Sequence, residues 1–272
     1  MSIAARNAIL AGGGLSARDY VQDGLIAMWD GIENAGWGTH NGSATTWTDL
    51  SGNNYNMSLN QHRASGSFVT NGIVANNSTD LMAVYIGAIN FGGSRNSYIE
   101  SVFSFSAAVT ETWGAILALG KQARNSSGGT SLISALSFDL RFTTSSLGRK
   151  YFQYGVPYGL AKNLTSGNSA LSIPAGTHQF RGSPAGNWFD GVSANGQTIT
   201  NKGCVSDTNN TFQFASVGGN YFSTTNPDSG GTLMGQLPSG SIVHAIRIYS
   251  QPLSSEQMDA NYAVDKARFN LA

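Results

Sequence analysis

Short hydrophobic runs separated by glycine, serine and asparagine recur along most of the chain. The first run, residues 25–29 (LIAMW), is typical of a buried strand, and several others alternate apolar and polar positions with the period of two that strands show. Many strands, long polar loops and little helix predict an all-β fold, an antiparallel β-sandwich. The further predicted strands are 98–106, 113–120, 132–144, 177–182, 187–192, 212–220 and 240–250.

The last predicted strand alternates so regularly that its side chains can be assigned to two faces. One face then carries Val243, Ala245, Arg247 and Tyr249, and the opposite face carries Ile242, His244, Ile246 and Ile248.

A single C-terminal helix is predicted after this strand. Pro252 opens the segment, and Ser254 is followed three residues later by Gln257, which is the spacing of a capping box. The pattern places Met258, Tyr262 and Phe269 near one face, whereas Asp259 and Asp265 are expected to stay on the polar side.

The beginning of the sequence differs from the rest, and we divide the chain into an N-terminal arm, residues 1–22, and one domain, residues 23–272. A possible short helical segment at residues 4–11 is interrupted by three glycines at 12–14. Both a docking arm and a frayed terminus fit this pattern. The segment does not resemble a classical signal peptide, and the chain has no apolar run of the roughly 18 residues that a membrane span requires.

Charge is sparse and balanced, with 11% charged residues and 15 basic against 15 acidic side chains. This surface favours neither nucleic acid nor membrane insertion as a partner. The single cysteine, Cys204, allows no intrachain disulfide and is expected to be a small buried hydrophobic residue. Stability must therefore come from the core or from homo-oligomerisation.

Two segments carry recognisable motifs, an Asp-x-Ser-Gly-Asn turn after the first strand and a Leu-Ser-x-Glu motif after the last. Residues 178–196 add a hairpin with Asp190-Gly191 in its tight turn. Over about residues 23–270 these features resemble a laminin-G-like, concanavalin A-like jelly-roll domain. The resemblance implies the fold and leaves the function open, because this fold hosts lectins, glycosidases, adhesion modules and structural proteins. The matching residues are Asp49, Ser51, Gly52 and Asn53, then Ile246, Arg247, Ile248, Tyr249, Leu253, Ser254 and Glu256.

A short arm followed directly by such a domain is also similar to decoration, fibre and tail-associated proteins of bacteriophages and prophages. This resemblance implies a virion or extracellular surface location without a classical signal peptide. It further implies partners among other virion or surface proteins and host-surface glycans.

An active site of the glycosidase kind requires two carboxyl groups about 5–9.5 Å apart. The four glutamates, Glu33, Glu100, Glu111 and Glu256, have no acidic partner at the required spacing within a strand. Asp30 lies three residues before Glu33, and we expect that pair to stabilise a turn. We therefore predict no catalytic residues, although carboxylates from distant strands could still converge.

Calcium is the one cofactor that the fold resemblance makes reasonable, because some relatives bind it through loop carboxylates and backbone carbonyls. The acids at loops and strand ends do not cluster in sequence, so no ligands are assigned. They are Asp30, Glu33, Asp49, Asp190, Asp207 and Asp228.

The loop after the first strand (GIENAGWGTHNG) is the candidate glycan-binding site. Lectin sites combine an aromatic ring with amide, carboxylate or imidazole groups, and this loop supplies all of them within nine positions. Trp29 and Trp47 lie in strand-like runs and are expected in the core. A second aromatic loop contains Tyr151, Tyr154 and Tyr158. The candidate ligand-binding residues are Glu33, Asn34, Trp37, His40 and Asn41.

These observations together favour a non-enzymatic surface or virion module that contacts proteins or host glycans. A dedicated carbohydrate-binding, lectin-like module is the alternative. A glycoside hydrolase fits less well, since no paired carboxylates are evident.

Overall fold

The protein folds as two antiparallel β-sheets packed face to face, with one helix at the C-terminal end. Every pairing between the strands described is antiparallel, and the sheets do not close into a barrel, so the predicted all-β sandwich is confirmed. The computed structural model describes residues 14–77, 79–90, 98–108, 113–124, 130–142, 150–155, 162–163, 175–183, 186–190, 192–193, 211–222, 232–234 and 236–271.

The first sheet, sheet I, has the order β14-β13-β12-β7-β18-β5-β4, and β1 pairs with β18 beside β5. The strand that comes last in the chain thus lies in the middle of the sheet. Numbered along the chain, the strands are β1 Leu25–Asp30, β4 Gly66–Val69, β5 Gly72–Ala75, β7 Tyr98–Phe105, β12 Gly176–Ser183, β13 Gly186–Phe189, β14 Val192–Ser193 and β18 Ile242–Tyr249.

The second sheet, sheet II, has the order β11-β10-β9-β8-β15-β6-β3-β2, with β16 and β17 attached to β9. Its strands are β2 Thr46–Trp47, β3 Met57–Ser58, β6 Ala83–Asn90, β8 Trp113–Arg124, β9 Thr130–Phe142, β10 Lys150–Gly155, β11 Lys162–Asn163, β15 Thr211–Val217, β16 Asn220–Phe222 and β17 Thr232–Met234.

The main hydrophobic core lies between the sheets. Sheet I contributes alternating residues such as Ile246 and Ile248, and sheet II contributes Ala215 and Val217. Burying this apolar surface is the main favourable contribution to folding, in proportion to the area removed from water. Trp29 and Trp47 are both fully buried in this core, as predicted from their strand-like runs.

Strand β18 departs from the predicted alternation at one point. Ile242 and Val243 pair with Ser104 and Phe103 of β7, but the next pair is Ala245 with Val102, so His244 is an extra, bulged residue. Because of the bulge, Val243 packs in the same core as Ile246 rather than on the face of Ala245. The predicted face was therefore wrong for Val243.

Helix α1, Ser255–Phe269, covers the outer face of sheet I. Ser254 and Gln257 form the predicted capping box, since each side chain bonds the other residue's backbone N–H. The predicted polar side was wrong for one residue, because Asp265 is completely buried. The helix turns Asn261 and Asp265 toward the sheet, where they bind the charged side chains of Glu100 and Arg247. Its buried residues are Ala260, Asn261, Val264, Asp265 and Phe269.

Residues 14–22, the described part of the predicted arm, lie against the domain. Ser16 and Asp19 cap a 3₁₀ turn, Ala17–Asp19, and the buried residues Ala17 and Tyr20 pack in a small cluster with Met28 of β1 and Val264 of α1. Residues 14–22 thus contribute to a small hydrophobic cluster on the outer face of sheet I, separate from the main core.

The Asp-x-Ser-Gly-Asn turn is tied to β1 by its side chains. The Asp49 carboxylate accepts hydrogen bonds from the backbone N–H groups of Met28, Ser51 and Tyr55. The Asn53 amide donates to the carbonyl oxygen of Ile26. These bonds give the motif a structural role, because Asp49 stabilises the turn and its carboxylate has few acceptor positions left for a ligand.

Candidate functional site

The candidate glycan loop follows β1 and is held by backbone and side-chain bonds. Gly36 and Thr39 form an isolated β-bridge, which places Trp37 and Gly38 at the tip of a tight turn. Gly38 has a φ of 69°, in the left-handed region where glycine is favoured, and its N–H points back to the Glu33 carboxylate. The tip is therefore fixed in one conformation.

Glu33 lies beneath the loop, not on its surface. Its carboxylate accepts bonds from Ala17 N at 2.6 Å, Gly38 N at 2.7 Å and the Arg268 guanidinium at 3.0 Å. One side chain thus joins residues 14–22, the loop tip and helix α1. This arrangement gives Glu33 a supporting position in the candidate site.

Asn34 is also inside, with no exposed surface. Its amide makes a reciprocal pair of bonds with the backbone of Asn41, donating to the carbonyl at 2.8 Å and accepting from the N–H at 2.7 Å. These two bonds hold the two ends of the loop together. Like Glu33, Asn34 shapes the loop from within.

The remaining three candidate residues face outward to different degrees. Trp37 is half-buried, packs against the cluster formed by Ala17, Tyr20 and Val264, and has the Arg18 guanidinium 4.5 Å from its ring centre. His40 and Asn41 are exposed, although His40 Nδ1 lies 3.1 Å from the Gly31 carbonyl oxygen. The structure thus presents part of the predicted set to solvent, and its sugar-binding role stays a prediction.

Asp30, at the end of β1, has the turn-stabilising contacts that were expected. One carboxylate oxygen accepts from the N–H groups of Ile32 and Glu33, and Arg268 binds both oxygens. Burial raises the pKa of Asp30, while the Arg268 guanidinium opposes that rise. Arg268 thus forms ion pairs with both carboxylates of the Asp30–Glu33 pair.

Sequence reasoning missed a second buried ionic cluster, between sheet I and α1. Arg247 donates to Glu100 at 2.8 Å on one side and to Asp265 at 2.9 Å on the other, and all three side chains are completely buried. Asn261 binds Glu100, and Tyr20 binds Asp265 at 2.7 Å. Burial alone would lower the pKa of Arg247, but the two carboxylates outweigh it and hold the pKa above its usual range. The available signal was one charged residue inside each of two strand-like runs, Glu100 in residues 98–105 and Arg247 in residues 242–249.

A serine hydroxyl lies beside a buried histidine where β7 meets β18. Ser104 Oγ lies 2.9 Å from His244 Nε2, and His244 Nδ1 lies 2.8 Å from the Asn71 carbonyl oxygen. His244 is almost completely buried, packs against the tilted ring of Phe269 and occupies the β-bulge of β18. These contacts satisfy the polar atoms of a buried imidazole, which is how buried polar groups are normally found.

No group of three or more metal-ligating side chains meets within the described residues. Four acids considered for calcium already accept bonds from the protein; for example, Asp190 bonds His178 and the Gln179 N–H. The prediction of calcium is not tested by these contacts. The candidates Asp207 and Asp228 lie outside the described residues, as do Cys204, Glu111 and Tyr158, and the Tyr151 and Tyr154 side chains are also not described.

An open cavity of about 570 Å³ lies between β5 and the loop that precedes β18. Its lining contains neither an aromatic ring nor a charged side chain, so it offers no groups for acid–base chemistry and no stacking platform for a sugar. The cavity is lined by Val74, Asn76, Asn77, Met82, Leu237 and Ser239, among others.

Among the described helices, none has the length and apolarity that crossing a membrane would demand.

Comparison with solved structures gives matches over most of the chain at low identity. Trypanosoma rangeli sialidase in complex with sialic acid matches with a TM-score of 0.53 and 13% identity, over 89% of this chain and 33% of that chain. Its complex with 2,3-difluorosialic acid, a covalent intermediate, matches with a TM-score of 0.51 and 13% identity over the same shares. The binding domain of botulinum neurotoxin DC in complex with SialylT gives 0.43 and 10% identity, over 91% of this chain and 52% of that chain.

The chain spans about a third of the length of the sialidases that it matches. At this identity the likeness shows a shared sandwich fold and nothing about activity. No protein-family model matches the sequence, and no curated protein matches it.

Proposed function

We propose that this protein is a non-catalytic module of a surface or virion protein, and that it contacts glycans or other proteins through its loops. The observation that carries the proposal is a contrast between buried and exposed polar groups. The Asp30–Glu33 and Glu100–Asp265 carboxylates are buried and bound by arginines, so they are poorly placed to act on a substrate. Exposed polar side chains lie in the loop around Trp37, at Thr39, His40, Asn41 and Ser43.

A dedicated carbohydrate-binding module is the second candidate, and the loop itself favours it. An indole ring, an imidazole and an amide lie within five positions at Trp37, His40 and Asn41, on a turn that is fixed from below. Aromatic rings stack on the C–H face of sugars, and amide and imidazole groups bind their hydroxyls. A preformed loop loses little conformational entropy on binding.

A broad glycan array, read with calcium and with chelator, tests the glycan contact. We expect binding by the unmodified protein and a loss of at least about tenfold in His40→Ala and Asn41→Ala, the scale of one or two lost hydrogen bonds. Trp37→Ala should bind less still, but the ring also packs against a buried cluster, so its unfolding midpoint must be measured alongside. Asn60→Ala removes an exposed amide from another loop and is the matched control.

Three other outcomes of the array are informative. Binding that disappears only with chelator would add a calcium ion to the site. Equal loss in Asn60→Ala and in the loop variants would place the glycan elsewhere. A blank array with folded protein would contradict glycan binding and leave protein partners, in which case analytical ultracentrifugation should show a fixed oligomer.

The non-catalytic part of the proposal has its own test. We expect no release of fluorophore from umbelliferyl glycosides, sialosides included, above the rate of buffer alone. Hydrolysis that co-elutes with the monodisperse protein would contradict the proposal.

A further inference from the structure

We infer that Arg18, held on the ring of Trp37, binds the anionic group of an acidic glycan at the first loop. This inference rests on the proposed glycan contact and specifies its chemistry as a carboxylate- or sulfate-bearing sugar. The sequence did not suggest it, because Arg18 lies in the predicted N-terminal arm, whereas the loop residues lie in the predicted domain.

Arg18 projects from a turn that is fixed on both sides. Its neighbour Ala17 is buried and donates its N–H to Glu33, and Tyr20 is buried and bonds Asp265. Ser16 and Asp19 close the turn by their reciprocal capping bonds. The Arg18 side chain itself is exposed, so the turn directs a cation to the surface beside Trp37.

The Arg18 guanidinium lies on the Trp37 ring, and no carboxylate among the described residues neutralises it. Its carbon lies 4.5 Å from the Trp37 ring centre, and within the part of the chain that the structure describes it makes no hydrogen bond or ion pair. Arg247 and Arg268, by contrast, are each bound to two carboxylates. Stacking occupies the face of a guanidinium and leaves its N–H groups available at the edge, in the fork that matches a carboxylate or sulfate.

Nearby carboxylates do not compete for this cation. Asp19 turns its carboxylate back to the N–H and hydroxyl of Ser16, and Glu33 is bound by Ala17, Gly38 and Arg268. Residues 36–45 contain no acidic residue at all. An incoming anion would therefore meet one positive group and no negative side chain of that loop.

The rest of the loop favours a sugar over an acidic peptide. Residues 38–43 are all exposed and present glycine backbone, hydroxyl, imidazole and amide groups, with no apolar side chain for a peptide to pack against. Neutral hydrogen-bonding groups beside one aromatic ring and one cation suit the hydroxyls and the single charge of an acidic sugar.

Titration calorimetry with sialyllactose, sulfated lactose and lactose tests the inference. We expect both acidic probes to bind about 10- to 100-fold more tightly than lactose, the range of one charged hydrogen-bonded contact. Arg18→Gln should remove this difference while leaving lactose binding unchanged, and Arg18→Lys should restore part of it for sulfate. Arg63→Gln, which removes an arginine from another loop, controls for net charge and should keep the preference.

Every other result overturns the inference, and the results separate it from the proposed function. Lactose bound as tightly as the acidic probes would leave the glycan contact standing and remove the anionic preference. An acidic preference that survives in Arg18→Gln would assign the cation elsewhere, and an equal loss for all probes would give Arg18 a merely structural role. Binding to polyglutamate but to no glycan would replace the sugar by a peptide. Failure of every probe with folded protein would overturn the inference, whereas the proposed function is decided separately by the glycan array.

Discussion

At the scale of single residues, Arg247 stands out because it is completely buried between two carboxylates. We expect Asp265→Asn to lower the free energy of unfolding by about 3–5 kcal/mol, the usual cost of breaking a buried ion pair from one side. Asp259→Asn makes the same chemical change at an exposed position of the same helix and is the control. Guanidinium denaturation measures both, and equal effects would contradict a structural role for the buried pair.

His244 predicts a pH dependence of stability. Burial lowers the pKa of His244 below its ordinary value of 6.5, so the unfolded chain takes up a proton at a higher pH than the folded one. Above that value the histidine has no effect on stability; below it, acidification favours unfolding, by at most about 1.4 kcal/mol per pH unit. Unfolding between about pH 7 and pH 5.5 should show a shallower dependence in His244→Gln than in the exposed control His40→Gln. An unchanged slope would contradict the prediction.

Single residues were predictable from the sequence only where local context decides their environment. Trp29 and Trp47 belong to strand-like runs, and both are in the core. Glu100 and Arg247 are 147 positions apart, and neither charge has a partner in its own segment, so their burial could not be read from either run. Only the pairing of β7 with β18 and the docking of α1 bring the cluster together.

At the scale of elements, the end of β1 and the start of β5 approach so closely that both need glycine. A Cβ added to Gly31 would lie 2.4 Å from the Cα of Gly72, which is backbone and cannot move aside easily. We expect Gly31→Ala to cost about 1–3 kcal/mol of stability by overpacking. Gly42→Ala, whose nearest neighbouring atom would be 3.9 Å away, should have little effect, and thermal unfolding distinguishes the two.

The helix cap gives a second prediction at this scale. Ser254 accepts the N–H of Gln257 at the start of α1, and Ser254→Ala should lower stability by about 0.5–2 kcal/mol. Thermal unfolding beside Ser255→Ala, one residue inside the helix and without the capping bond, measures the difference. The same loss in both variants would mean that the capping bond contributes nothing.

Elements were predicted well where their signals are local. The capping box of α1 and the strands β1, β7, β8, β9, β12, β13, β15 and β18 could be recognised within a few residues, because hydrogen-bonding side chains and alternation act over that distance. The other strands, β6 among them, were not predicted. The bulge at His244 could not be recognised, since it exists only relative to the register of β7. The buried side of α1 was partly mispredicted because a helix normally turns apolar residues inward. In α1, Asp265 turns inward instead, because it binds the buried Arg247.

At the scale of the whole molecule, residues 14–22 behave as part of the packed structure. Tyr20 fills a cluster between β1 and α1, and Ala17 binds Glu33. We expect a chain lacking residues 1–22 to be at least about 3 kcal/mol less stable than one lacking residues 1–13, the scale of removing one buried aromatic side chain. Equal denaturant midpoints would support the original boundary between arm and domain at residue 22.

The sandwich itself was predictable from alternation and turn residues, but the order of its strands was not. Strand order depends on which distant runs pair, and local propensity carries no information on that choice. The candidate loop was likewise located correctly as a loop after β1, whereas the inward positions of Glu33 and Asn34 follow from contacts with residues 17, 41 and 268.

The central position of β18 has a consequence for synthesis on the ribosome. Strands β1, β5 and β7 are made early, but all three pair with β18, which follows every other described strand along the chain. Until β18 is made, the edge of each of these three strands that β18 covers has no partner, and unpaired edges invite association between nascent chains. Sheet I therefore cannot complete its pairing until β18 has emerged, and chaperone binding during translation should be strongest before that point.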